Sequence, residues 1–148
     1  MQHKKILNEY KRNAINTASQ GELIIMLYEG AINAINEAEK KMHYSSYDIV
    51  NRQIKKAVNI IDELRASLDK KKGGDIAERL ESIYIYMNEQ LINANMDKNI
   101  EPLKEIRDLL NQLLSAWKEI VGSGAGKNAA ADNKNKKADL NSGFSITG

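Results

Sequence analysis

Leu103-Lys104-Glu105-Ile106-Arg107-Asp108-Leu109-Leu110-Asn111-Gln112-Leu113-Leu114-Ser115-Ala116-Trp117-Lys118-Glu119-Ile120 is the stretch that decides the fold. Leu103, Ile106, Leu110, Leu113, Trp117 and Ile120 recur at alternating intervals of three and four, which places them on one face of an α-helix. Asn99 stands before the run as an N-cap. Pro102 falls in the first turn, where its missing amide has no intrahelical partner to lose. A second row, Leu109, Leu113, Ala116 and Ile120, lies beside the first and widens the apolar face beyond what one seam of a bundle requires. That row is covered either by neighbouring helices or by a partner helix lying in a surface groove.

Three more amphipathic patterns lie upstream. Thr17 with Gln20, and Ser19 with Glu22, give two overlapping capping boxes for a helix reaching about Met42. Its Leu23, Leu27, Ala31, Ala34 and Ala38 form one row, and Ile24, Ile25, Tyr28 and Ile32 extend the apolar face around from it. Ser45 with Asp48 opens the next helix, whose Val50, Ile54, Ala57, Ile61, Leu64 and Leu68 make a single stripe. Gly73-Gly74 breaks the pattern, and Ile76, Leu80, Ile83, Met87, Leu91 and Ala94 begin another. Four such helices with short connections predict an all-α, antiparallel up-down four-helix bundle over residues 1–121. The segment 1–16, with Ile6, Leu7, Tyr10 and Ala14 at near-helical spacing, is too short for a stable isolated helix and must either dock on the bundle, permanently or as an exchangeable cap segment, or remain mobile. From Gly122-Ser123-Gly124-Ala125-Gly126 onward, Asn, Lys, Ala, Asp, Gly and Ser dominate, so 122–148 reads as a flexible tail or linker.

Composition agrees with this class and excludes others. Among 148 residues there is no cysteine, which removes disulfides, thiol catalysis and cysteine-ligated zinc. The N-terminus lacks an apolar signal region and no run approaches the length of a membrane span, so a cytoplasmic protein without membrane insertion is expected. Four lysines and two aspartates follow Gly122, leaving 18 basic and 18 acidic residues before it. A neutral body with alternating charges offers no concentrated basic face, so nucleic acid is not an expected partner.

Residues suited to catalysis are few. His3 and His43 lie far apart, no serine sits in a nucleophile elbow, and His43 at a helix end complements the helix dipole. Iron-carboxylate bundles need Glu-x-x-His pairs facing inward, and none occurs here. The glycines at 122–126 follow a helix and lack the Gly-Lys-Ser/Thr of a phosphate loop. The expectation is a non-enzyme with no cofactor and no metal. Tyr84 and Tyr86 subtend about 200° on a helix, so one faces the core while the other forms a surface edge. Asn88 and Asn93 can hydrogen-bond a ligand backbone, whereas Asn95 is expected to fray a helix end.

Several strings together resemble one family. Tyr10 followed by Thr17-Ala18-Ser19, then Glu22-Leu23-Ile24-Ile25-Met26-Leu27-Tyr28-Glu29-Gly30-Ala31-Ile32, is similar to the opening of the flagellar secretion chaperones of the FliS family. The likeness continues through Lys56-Ala57, Ile60-Ile61, Glu63-Leu64, Ser67-Leu68-Asp69, Gly73-Gly74, Ile76-Ala77, Leu80, Tyr84, Tyr86-Met87, Leu91, Ala94-Asn95 and Ala116-Trp117, covering roughly residues 10–121. Gln20-Gly21 stands where many relatives have a proline, Glu29 where Asp is common, and the tail lies outside the pattern. The resemblance implies a cytosolic export chaperone whose partner is the C-terminal segment of flagellin. That segment would wrap the bundle, become helical on apolar grooves and be kept from polymerising before type III export, with components of the export apparatus as further partners. It also implies that the chaperone's own N-terminal segment, here Tyr10 with Ile6 and Leu7, occupies part of the groove. The candidate groove or cap residues are therefore Ile6, Leu7, Tyr10, Leu23, Ile24, Leu27, Tyr28, Leu109, Leu113 and Ala116. The competing expectation is a self-associating bundle whose extra apolar rows form a homodimer interface.

Overall fold

The computed structural model describes residues 20–123, which form four helices: α1 (Gln20–His43), α2 (Tyr47–Ala66), α3 (Lys70–Asp97) and α4 (Ile100–Gly122). Each packs against its neighbours in sequence and α1 closes the ring against α4, as expected for an up-down bundle. The expected caps Thr17 and Ser19 and the segment 1–16 lie outside the described residues.

One stripe per helix fills the interior. It consists of Ile24, Tyr28, Ala31, Ile35, Ala38 and Met42 with flanking Ile32 and Ala34 on α1, and Val50, Ile54, Ala57, Ile61 and Leu64 on α2. Ala77, Leu80, Tyr84, Met87, Leu91 and Ala94 supply α3, and Leu103, Ile106, Leu110, Leu114 and Trp117 supply α4. The α2 stripe is the one read from the sequence, apart from Leu68, which is only partly buried beyond the helix end. In α3 and α4 the interior phase moves by one residue at several places. Ala77 and Tyr84 replace Ile76 and Ile83, and Leu114 replaces Leu113, while the displaced side chains sit half-buried at the margin.

The helix ends differ in instructive ways. Asn99 caps α4 as expected, its side chain accepting from the Glu101 amide at 3.1 Å. Ser45 does not cap α2: it takes a left-handed conformation (φ 58°) in the connection, and Ser46 holds the cap position without a side-chain bond. The third helix begins one turn earlier than Gly73-Gly74 suggests, because Asp69 accepts from the Lys71 and Lys72 amides at 3.1 and 3.0 Å. Gly74, at φ 52° and ψ −126°, then kinks the helix instead of preceding it. Asn95 does not fray the end of α3. Its carbonyl and side-chain oxygens accept from Lys98 Nζ at 2.6 and 2.9 Å, and the same ammonium reaches Asn51 of α2 at 2.7 Å and lies over the Tyr47 ring.

The Gly74 kink isolates a pure backbone effect, since a Cβ there would meet no atom within 4 Å yet the conformation disfavours any L side chain. Gly74→Ala is expected to lower stability by about 1–2 kcal/mol, measured by urea unfolding. An unchanged midpoint would mean that the first turn of α3 re-forms without the kink.

Candidate binding grooves

Two of the four seams between helices carry several polar contacts each, and a third, α3/α4, carries one, from Tyr86 to Glu105. Between α2 and α3, Asn88 donates to Asp62 at 2.8 Å and to the Val58 carbonyl at 3.4 Å, and Glu81 meets Lys70 at 2.9 Å and Arg65 at 3.2 Å. Lys70 first, then Arg65, holds the Glu81 carboxyl below its ordinary pKa. Asn88 is thus engaged within the bundle. Between α1 and α4, Arg107 reaches Asn36 at 3.0 Å and pairs with Glu39, and Lys118 pairs with Glu29 at 3.4 Å.

The expected apolar rows follow the other two seams. Leu109 and Leu113 of α4 face Ile83 and Tyr86 of α3 across a groove of about 340 Å³, with Ser82 and Gln112 at its edge. Ala116 and Ile120 continue the α4 row at helical spacing, and all four are half-buried. Tyr86, 39% exposed, stands over the groove and donates to Glu105 at 2.5 Å, so α3 and α4 are joined beside the apolar floor. That carboxylate raises the Tyr86 pKa. On the far side of the ring, Leu23 and Leu27 are half-buried on the face of α1 that also carries Gly30. A Cβ on Gly30 would lie 3.3 Å from Ile60 Cδ1, so this face approaches α2 closely.

Ile24 and Tyr28 require a correction, because they lie in the bundle interior, 1% and 0% exposed, and line no surface groove. The Tyr28 hydroxyl meets that of Tyr84 at 2.5 Å across the interior between α1 and α3. This phenol needs a partner when buried, and Tyr84 supplies it; the face of α1 is rotated accordingly, placing Leu23 and Leu27 at its edge. Burial raises the Tyr28 pKa well above its usual range, the neighbouring Tyr84 adds to this, and a hydrogen bond from Trp117 acts in the opposite sense. Burial pushes the Tyr84 pKa up to about 12. Ile6, Leu7 and Tyr10 lie outside the described residues. The sequence reading missed Ile83, Ser82 and Gln112 as groove residues. It also missed an exposed ridge on the outer face of α3, formed by Ile85, Ile92 and Met96. The spacing of seven and four along that ridge was legible, but the ridge lies outside every core stripe.

Among the described residues no cluster of three or more His, Cys, Asp or Glu could hold a metal, and no helix is long and apolar enough to cross a membrane. What the surface offers is half-exposed apolar rows on opposite seams. The family model described as "Flagellar protein FliS" matches residues 3–124. The chain belongs to the FliS family. Among FliS relatives, the flagellar secretion chaperone of Salmonella typhimurium is 37% identical over 109 residues, covering 73% of this chain and 81% of its own. That of Campylobacter jejuni is 33% identical over 122 residues, 81% of this chain and 94% of the relative. The Bacillus subtilis protein is 31% identical, with 77% and 84% covered.

The tyrosine pair generates a test of the interior. Tyr28→Phe leaves the buried Tyr84 hydroxyl without its partner and is expected to destabilise by about 1–3 kcal/mol, Tyr84→Phe less because Trp117 still reaches the Tyr28 hydroxyl, and the double variant should lose less than the sum. Both phenols have folded-state pKa values above the unfolded value of about 10. The unfolded chain therefore releases these protons first, and stability is full below pH ~10 and falls as pH rises from there toward 12. Urea midpoints across this range should fall less steeply in Tyr84→Phe; identical slopes would remove Tyr84 from the alkaline transition.

Proposed function

We propose that this chain is a cytosolic, non-enzymatic chaperone of flagellar secretion that holds the C-terminal segment of flagellin on its apolar rows until export. The observation carrying this reading is that the bundle closes its core with one stripe per helix and still leaves Leu109, Leu113, Ala116 and Ile120 half-exposed beside Ile83. A helical client segment with apolar residues at i, i+3/i+4 and i+7 fits such a groove. Leu23 and Leu27, on the α1/α2 seam, extend the contact if the segment wraps around the bundle. The N-terminal Ile6, Leu7 and Tyr10 serve as an exchangeable cap, and components of the export apparatus receive the complex. The flagellar secretion chaperones among its relatives support the class.

Binding of this kind orders a flexible segment, so a large interface must offset the entropy of ordering. A second reading, self-association, is favoured by the exposed Ile85, Ile92 and Met96 on α3. Concentration-dependent mass without flagellin affinity would support it.

Isothermal titration with the isolated C-terminal segment of the cognate flagellin is expected to give tight one-to-one binding, with helix gained by circular dichroism. Leu109→Ser with Leu113→Ser should weaken that affinity by about tenfold or more, as for central apolar anchors, while the bundle stays folded. A folded chain that does not bind the segment would sink flagellin as the client. Tyr10→Ala is expected to alter affinity more than stability, and equal losses of both would make the N-terminal segment structural instead of exchangeable.

A further inference from the structure

The apolar floor of the α3/α4 groove ends at a single bond. Tyr86 of α3 donates across the seam to Glu105 of α4 at 2.5 Å. To one side lie Ile83, Leu109 and Leu113, and Ala116 and Ile120 continue the α4 row at helical spacing. To the other, the same face of α3 carries Gln90, Asn93 and Asp97, four, seven and eleven residues on from Tyr86, and α4 carries Glu101 and Pro102. The groove therefore has a closed, polar end where the two helices are tied together.

The tie leaves part of the carboxylate free. Tyr86 takes Oε2, and Oε1 has no bond among the described residues. Glu105 is exposed, and the basic residues flanking it on α4 are engaged elsewhere: Lys104 pairs with Glu101 at 3.7 Å and Arg107 with Glu39 of α1. The carboxylate raises the Tyr86 pKa, so the phenol keeps its proton, and the bond, through the neutral range. Toward the other end of the groove the charges are mixed, Arg79 of α3 against Asp75 of α3 and Glu119 of α4. α3 and α4 run in opposite directions, so their dipoles largely cancel for a helix laid between them. Its direction is then decided by the fixed negative charge at the closed end. A carboxylate stabilises the N-terminus of a helix, where the first amides lack partners, and destabilises the C-terminus.

We propose that Glu105 is the end-stop of the α3/α4 groove: it pins Tyr86 across the seam and accepts from the free amides at the N-terminus of a bound helical segment, which then runs beside α4 toward Ile120. That a client helix lies here rests on the flagellin reading above, and its direction is the addition. A segment continuing past the stop would have to break the Tyr86 bond and lie on polar side chains. From Glu105 to Ile120 the groove is about 22 Å long, room for a helix of about 15 residues.

The chain has no cysteine, so a nitroxide attached through Asn93→Cys, exposed on the polar side of the stop, reports from one place. The labelled full chain is mixed with the isotope-labelled C-terminal segment of the cognate flagellin. Paramagnetic broadening is expected to be strongest at the N-terminal residues of the stretch that becomes helical and to fade toward its C-terminus. Glu105→Ala should weaken binding by about two- to fivefold, the size of a charge effect at a helix end, with little change in the urea midpoint. Glu105→Gln, which still accepts from Tyr86 but carries no charge, should recover part of the loss. Without any client, the Tyr86 ring resonances should titrate at lower pH in Glu105→Ala than in the parent. Broadening strongest at the C-terminal residues, or equal at both ends, overturns the end-stop but keeps the flagellin reading if the Ile83, Leu109 and Leu113 resonances shift on binding. Unchanged affinity in Glu105→Ala overturns it likewise. A client that does not bind, or binds without shifting those three resonances, sinks the flagellin reading of this groove and the end-stop with it.

Discussion

Each helix of a closed four-helix ring buries a face of limited width, about 100° or somewhat more, and the apolar rows left at the surface of this molecule follow from that limit. α4 has more apolar surface than its share, with Leu103, Ile106, Leu110, Leu114 and Trp117 inside and Leu109, Leu113, Ala116 and Ile120 left at the margin. The surplus cannot be hidden by repacking, because the interior positions opposite are already filled by Tyr84, Met87 and Leu91. Close-packed interiors do not absorb extra side chains without strain. The apolar rows are therefore a consequence of the bundle's closure, and they are available without unfolding any of it.

The polar contacts sort the seams. The α2/α3 and α1/α4 interfaces are tied by Asn88, Glu81, Arg107 and Lys118, so a ligand laid along either would have to break paired charges or amides. Exposed ion pairs contribute little to stability. Their effect here is on placement, since they make two of the four seams poor sites for an apolar segment. The Tyr28–Tyr84 bond has a different role. Spanning the interior between α1 and α3, it fixes the rotation of both helices, because either phenol turned away would lose its partner in an apolar setting. Fixing α1 in this way sets Leu23 and Leu27 at the edge.

The fold class, the α2 stripe and the Asn99 cap were legible in the sequence because periodicity and capping are local properties. The phase of the other stripes was not. Each displaced residue belongs to an adjacent apolar pair: Leu23/Ile24, Leu27/Tyr28, Ile76/Ala77, Ile83/Tyr84 and Leu113/Leu114. Members of such a pair are about 100° apart on the helix, and an isolated helix offers no reason to choose one for the interior. The choice is made by neighbours: Tyr28 and Tyr84 by their shared hydrogen bond, Leu114 by packing in the ring. The start of α3 was obscured for a related reason, since a single capping bond set from Asp69 outweighs the two glycines that follow. The groove on α4 was legible as surplus, while its α3 wall was not, because Ile83 looked like core.

The two seams edged by apolar rows, α1/α2 and α3/α4, share no helix, and this constrains any single ligand that uses both. Neighbouring helix axes lie about 8–10 Å apart, so a segment leaving one seam for the other crosses two whole helices and travels on the order of 20 Å over the surface. At about 3.3 Å per extended residue that crossing takes roughly six residues, or about 13 if the segment is helical. Each groove, to be filled over two turns, takes about seven more. A client shorter than roughly 20 residues is thus limited to one seam and to the apolar area of one row. Affinity that persists when a client is cut below that length would locate its energy in a single groove. Affinity that collapses would mean that the bundle is read as a surface to be encircled, with the polar seams serving as the places a ligand passes over.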